Sequence, residues 1–121
     1  MFSKDHLSEF KKKNSIDKRI KESNKIRAKY EDRIPIIVEK SSKSKLQDID
    51  KNKFLVPETL TIGQFLYIIR KRVKLNSNDA LFIFINNILP CTSSCISNIY
   101  NEHKDTDGFL YIQYTEESTF G

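Results

Sequence analysis

The chain has 121 residues, 38% of them hydrophobic and 31% charged, which suits one domain whose core needs neither disulfides nor metals. No apolar run approaches the roughly 20 residues of a membrane span, and residues 1–10 are too polar for a secretory leader, so a cytoplasmic chain is expected. The formal charge of +5 is uneven: residues 1–53 hold 16 Lys/Arg against 9 Asp/Glu, whereas residues 54–121 hold 5 against 7.

In chain order, Asp5 to Lys13 reads as a short polar helix anchored by Leu7 and Phe10. Asn14 or Ser15 then caps a second helix running to about Lys29. On that helix Ile16, Ile20, Ile26 and Tyr30 share an arc of roughly 120°, which predicts one buried stripe. Ile34 to Lys40 alternates and is β-branched, so it predicts a strand. Pro35 has no N–H for a ladder and pushes that end toward a sheet edge. Lys53 to Pro57 is a second short strand, stopped by its proline.

Thr61 and Gln64 form a capping box for a helix from Ile62 to about Lys74. Ile62, Leu66, Ile69 and Val73 make its core stripe. Phe65, Ile68 and Arg72 make a second, surplus stripe, consistent with a pocket on the flank or with a wide core face. Leu81 to Ile85 is apolar on both faces and predicts a central strand covered on both sides. Asn86-Asn87 turns the chain, since Asn tolerates positive φ. A last helix from about Ser94 to His103 presents Ile96, Ile99, Tyr100 and His103 on one face. Asp105 to Gly108 is a turn, and Phe109 to Tyr114 is the closing strand.

The order helix, helix, strand, strand, helix, strand, helix, strand suits an α+β fold. The last six elements fit a mixed sheet gripping a helix, a β-grasp, with two helices added in front. Residues 1–29 are expected to form a helical unit packed on a core of residues 30–116, with residues 117–121 as a conjugation tail.

Catalytic constellations are missing. There is no glycine-rich phosphate loop, nucleophile elbow or Ser/His/Asp set. Cys91 and Cys95 read as reduced, partly buried thiols; with only His6 and His103 beside them they make a poor metal site. No orienting group supports a Cys/His enzyme. The chain reads as a non-enzyme with no cofactor and no metal, and as a monomer in solution. The basic N-terminal half could meet phosphates, anionic lipid or an acidic protein, or be a solvated helical face. Nucleic acid is not expected, because aromatics are not interleaved with the Lys/Arg run. Gly121 ends an extended segment after the closing strand, and a glycine carboxylate without a β-carbon can thread a narrow enzyme channel.

Four segments carry a specific resemblance: Lys25-Ile26-Arg27-Ala28-Lys29-Tyr30, Asp32 to Lys40, Asp50 to Pro57, and Gly63-Gln64-Phe65 through Arg72. Asp79 to Phe82, Phe84 to Asn87, Tyr100 to Lys104 and Asp107 to Tyr111 continue it. From about residue 15 onward the chain resembles the ubiquitin-like autophagy modifiers, the group that includes GABARAP. Glu31 stands where many members have proline, and Cys91 stands where a second proline is common.

The resemblance implies conjugation of Gly121 to phosphatidylethanolamine by activating and conjugating enzymes. It also implies a processing and deconjugating cysteine protease, and residence on autophagosome or related vesicle membranes when lipidated. It further implies docking of receptor peptides of the form aromatic-x-x-aliphatic, added as a strand to the edge next to Ile34–Glu39. By residue-to-residue match the aromatic pocket is Glu22, Ile26, Pro35, Lys53, Leu55 and Phe109. The aliphatic pocket is Phe54, Val56, Pro57, Leu60, Phe65, Ile68 and Arg72. Lys51 and Arg33 are expected to meet charges on the partner. Two anchors at about 1.5–3 kcal/mol each, less ordering costs, imply micromolar binding. The alternative is an unconjugated module that binds tubulin or membrane through its basic half.

Overall fold

The computed structural model describes residues 8–118, arranged as α1 (Glu9–Lys13), α2 (Ile16–Lys29), β1 (Arg33–Lys40), β2 (Lys53–Pro57), α3 (Ile62–Val73), β3 (Phe82–Phe84), α4 (Ile96–His103) and β4 (Leu110–Thr115). This is the expected order. The first part of the expected N-terminal helix, and Leu7 with it, lies outside the described residues. Ser15 caps α2 by accepting from the Lys18 N–H. Thr61 and Gln64 close their reciprocal box at the start of α3. Lys74, at φ 62°, ends that helix in the left-handed region.

The four strands run β2-β1-β4-β3. β1 pairs antiparallel with β2 and parallel with β4, and β3 pairs antiparallel with β4. Two expectations are corrected by this order. β1 is interior, so it offers no free edge, and the open edges belong to β2 and β3. Pro35 is tolerated in β1 because pairing with β4 begins one residue later, at Ile36 opposite Leu110. β3 is an edge strand of three residues rather than a central one. Its neighbourhood is still well covered, with Leu81, Ile83, Phe84 and Ile85 all buried.

Strand alternation sends side chains to two cores, one on each face of the sheet. Ile34, Ile36, Val38, Leu110, Ile112 and Tyr114 meet α3 and α4 on one face, through Ile62, Phe65, Ile69, Val73, Ile96, Ile99 and Tyr100. Ile37 and Phe109 meet Phe10 and Ile26 on the other, where α1 and α2 lie. Phe65 belongs wholly to the first core, and Leu66, expected there, is half-buried.

The predicted stripe of α2 is corrected too. Ile16 and Tyr30 are exposed, Ile20 and Ile26 are half-buried, and the residue that α2 buries is Ser23. The reason is long-range. The 105–108 turn passes so close that Ser23 Oγ donates to the Asp107 carbonyl, and a Cβ on Gly108, at φ 93°, would collide with Ser23. The Asn86-Asn87 turn adopts positive φ at both residues, 51° and 64°, as expected.

Candidate functional site

The site is organised by β2, whose outer edge has no strand beside it among the described residues. Along it burial alternates: Lys53 and Leu55 are half-buried toward α2, Phe54 and Val56 are buried toward α3, and Pro57 is exposed. One strand therefore feeds both faces of the sheet.

On the α2 side the structure packs several of the residues expected to form an aromatic pocket against one another. Lys53 Nζ pairs with Glu22. Pro35 is buried opposite Leu55. Phe109, at 0% exposure, packs against Phe10, their rings 5.4 Å apart and edge-on, in a cluster with Ile37, Ile26 and Tyr111. The Lys53 ammonium also stands 5.4 Å from the centroid of Phe10. Phe10 was legible only as a helix anchor, and its place among these residues depends on contacts 99 positions apart.

On the α3 side Phe54, Val56 and Phe65 are core residues, with Phe54 edge-on to Phe65 at 5.6 Å. Leu60 and Ile68 are half-buried against them. Lys51 Nζ lies 5.1 Å, and Arg72 Cζ 6.0 Å, from the Phe54 ring centroid, so two cations stand at its rim. Arg72 also reaches Asp50 at 3.3 Å. Arg33 is exposed, and its Nη1 donates to the Leu55 carbonyl at 3.5 Å.

Leu60 and Ile68 also line a groove of about 590 Å³ on the flank of α3, with Gly63, Gln64, Tyr67 and Thr92. The surplus stripe thus borders a concavity through Ile68, whereas Phe65 and Arg72 do not line it. Gly63 sits tight on the opposing loop: its N–H donates to Thr92 O at 2.9 Å, and a Cβ there would come within 3.3 Å of that oxygen. Tyr67 and Thr92 were not assigned to a site from the sequence; a tyrosine between the apolar Leu66 and Ile68 was the available signal.

Chemistry elsewhere is sparse. Among the described residues no group of three or more His, Cys, Asp or Glu is placed to hold a metal, and no helix is long and apolar enough to cross a membrane. Both thiols are free; Cys95 is half-buried, and Cys91, expected to be partly buried, is exposed. Hydrogen bonds from Ser93, side chain and backbone, hold the Cys91 thiol below its ordinary value, and Ser97 does the same for Cys95. His103 Nδ1 faces Asn86 Nδ2 at 3.2 Å. Among the described residues five cations of the basic half are paired with acids of the same chain: Lys11 with Asp105, Lys12 with Glu9, Arg19 with Asp107, Lys40 with Asp48 and Lys53 with Glu22. Gly121 lies outside the described residues. The segment leading to it is fastened at Glu116, which accepts from Ser44 Oγ at 2.6 Å and from the Lys45 N–H at 2.9 Å.

The family model described as "Autophagy protein Atg8 ubiquitin like" matches residues 18–121. The chain is similar to Autophagy-related protein 8d of Arabidopsis thaliana, at 55% identity over 95% of this chain and 96% of the plant protein. It is similar also to Autophagy-related protein 8 of Emericella nidulans, at 56% identity over 94% and 97%. Its fold superposes on the crystal structure of Trypanosoma brucei ATG8 with a TM-score of 0.88, 42% identity, and coverage of 95% of this chain and 99% of that one. Plasmodium falciparum Atg8, solved in complex with a P. falciparum Atg3 peptide, gives a TM-score of 0.86 at 35% identity, covering 94% and 100%. The chain belongs to the Atg8 family of ubiquitin-like autophagy proteins.

Proposed function

We propose that this protein is a modifier that becomes joined through the Gly121 carboxylate to the amine of phosphatidylethanolamine. On the membrane it recruits receptors bearing aromatic-x-x-aliphatic segments. It is itself no enzyme: an activating and a conjugating enzyme make the amide, and a cysteine protease reverses it. The unlipidated form is cytoplasmic and the conjugate resides on autophagosome or related vesicle membranes, with residues 117–121 as the reacting tail.

The observation that carries the docking half is the alternation at the open edge of β2. Residues three apart in an extended peptide point to opposite faces, and β2 offers Lys53 and Leu55 on one face and Phe54 and Val56 on the other. A strand added to this edge would send its aromatic toward α2 and its aliphatic residue toward α3, with main-chain bonds supplying the common affinity. The peptide-bound Plasmodium relative supports a groove that takes a linear segment. Binding through the basic half to tubulin or membrane is less supported, because Lys11, Arg19 and Lys53 are turned onto acids of the chain itself.

The test is reconstitution with ATP, the two enzymes and vesicles containing phosphatidylethanolamine. Wild-type protein is expected to form a covalent lipid adduct and Gly121→Ala to form none. A wild-type chain that stays unmodified beside a reacting family member would overturn the proposal.

A further inference from the structure

Resting on the conjugation reading, we infer that Glu116 is a positioning residue for Gly121: its carboxylate clamps the root of the tail to the 41–46 loop and fixes the direction in which the reacting end leaves the fold. The backbone ladders stop just before it, β1 with β4 at Lys40 opposite Tyr114, and β3 with β4 at Thr115 opposite Phe82. Where they stop, side-chain bonds take over. Glu116 Oε1 accepts from Ser44 Oγ at 2.6 Å and Oε2 from the Lys45 N–H at 2.9 Å, so both carboxylate oxygens are held. Bonds to an ionised acceptor are roughly twice as strong as neutral ones.

The receiving loop is itself fixed to β4. The Ser41 N–H donates to the Tyr114 carbonyl at 2.9 Å, and the Tyr114 hydroxyl donates to the Gln47 carbonyl at 2.5 Å. Ser44, buried, accepts from the Leu46 N–H at 3.1 Å, which leaves its own proton for Glu116. Five residues follow Glu116 through Gly121, an extended reach of at most about 17 Å. The direction set at Glu116 therefore limits where the carboxylate can arrive when an enzyme holds the body of the fold. In the reaction a Gly121 carbon–oxygen bond breaks and that oxygen leaves on a phosphate of the consumed ATP. A carbon–nitrogen bond forms, and the lipid ammonium releases two protons. A loosened root adds backbone freedom that must be frozen before this step, at a cost of about tenfold per residue ordered.

The test measures initial rates of lipid-adduct formation against concentration of the full chain, with ATP, the two enzymes and phosphatidylethanolamine vesicles. Each variant is assayed at a temperature where circular dichroism shows it folded. Glu116→Ala removes the clamp from the tail side. Ser44→Ala loosens it from the loop side and leaves the tail sequence intact. Glu116→Ala is expected to lower kcat/KM about tenfold, chiefly through KM, and Ser44→Ala to lower it by a smaller factor. The double variant should lose no more than Glu116→Ala alone, because the two residues act through one tie. A normal rate in Ser44→Ala beside a slow Glu116→Ala makes Glu116 a direct enzyme contact and overturns the clamp. Additive losses, or unchanged or faster reaction in both variants, overturn it too. Wild type that forms no adduct beside a reacting family member overturns the conjugation reading and the clamp with it.

Discussion

Arg19 Nη1 lies 2.7 Å from Asp107 Oδ2, and the carboxylate it meets is wholly shielded from water while the guanidinium side chain is 11% exposed. Tyr111 donates its hydroxyl to the same oxygen, and the Phe109 N–H donates to the other at 2.9 Å. Burial first, and Asp107 second, push the Tyr111 phenol far above its ordinary range, so it remains a donor. Breaking a buried pair from one side strands the other charge, at a cost of about 3–5 kcal/mol. Asp107→Ala should lower stability by that amount in urea unfolding. Asp105→Asn, at the Lys11 pair whose side chains are about a quarter exposed, should cost about 1 kcal/mol or less. Equal losses at the two positions would show that α2 is not fastened through Asp107.

That anchor marks the line between what was legible in the sequence and what was not. Local chemistry was legible: the Thr61–Gln64 box, the Asn86-Asn87 turn and the element order follow from neighbours within a few residues. The face of α2 was not, because its burial is decided by Gly108 and Asp107, 84 residues beyond Ser23. An apolar pattern on both faces of residues 81–85 reports coverage and is silent on strand order, so β3 read as central when it is an edge. The candidate site divides in the same way. Residue matching assigned Phe54, Phe65 and Phe109 to pockets, but whether a matched side chain faces solvent depends on what packs against it, here Phe10, Arg72 and Lys51 among others.

Glu116 ties the end of β4 to the 41–46 loop and gives the fold a pH dependence. Its hydrogen bonds from Ser44 and the Lys45 N–H hold the carboxyl at about 2, against an ordinary 4.5. A group depressed in the folded state stabilises fully above its unfolded value and loses that contribution as pH falls through the folded value. Wild type should exceed Glu116→Gln in stability near neutrality, with the gap closing between about pH 4.5 and 2. Unfolding curves that keep a constant gap across this window would remove Glu116 as the cause.

Cys91 should behave as an activated thiol. It is exposed and hydrogen-bonded to Ser93 at 3.1 Å, which favours the thiolate, the nucleophilic form. Alkylation by iodoacetamide at pH 7, followed by peptide mass spectrometry, should be faster at Cys91 than at half-buried Cys95. It should slow in Ser93→Ala, with its pH profile displaced upward. An identical profile in that variant would remove Ser93 as the activating group.

The cations over Phe54 allow docking to be separated from folding. Phe54 is buried against Phe65, so Phe54→Ala would open a cavity costing about 3–5 kcal/mol and mix instability with lost binding. Lys51 is exposed and Arg72 half-exposed, and both reach the same ring from its rim. Arg72→Ala releases only a surface pair with Asp50, worth about 0–1 kcal/mol. The double variant Lys51→Ala/Arg72→Ala should therefore unfold near the wild-type midpoint. It should bind an acidic-flanked aromatic-x-x-aliphatic peptide several-fold more weakly at low salt. The difference should shrink as ionic strength rises, because exposed charges are screened over about 10 Å at 0.1 M. Calorimetry at two salt concentrations decides it: a loss independent of salt would assign these residues a packing role, and no loss at all would take the acidic flank away from this rim.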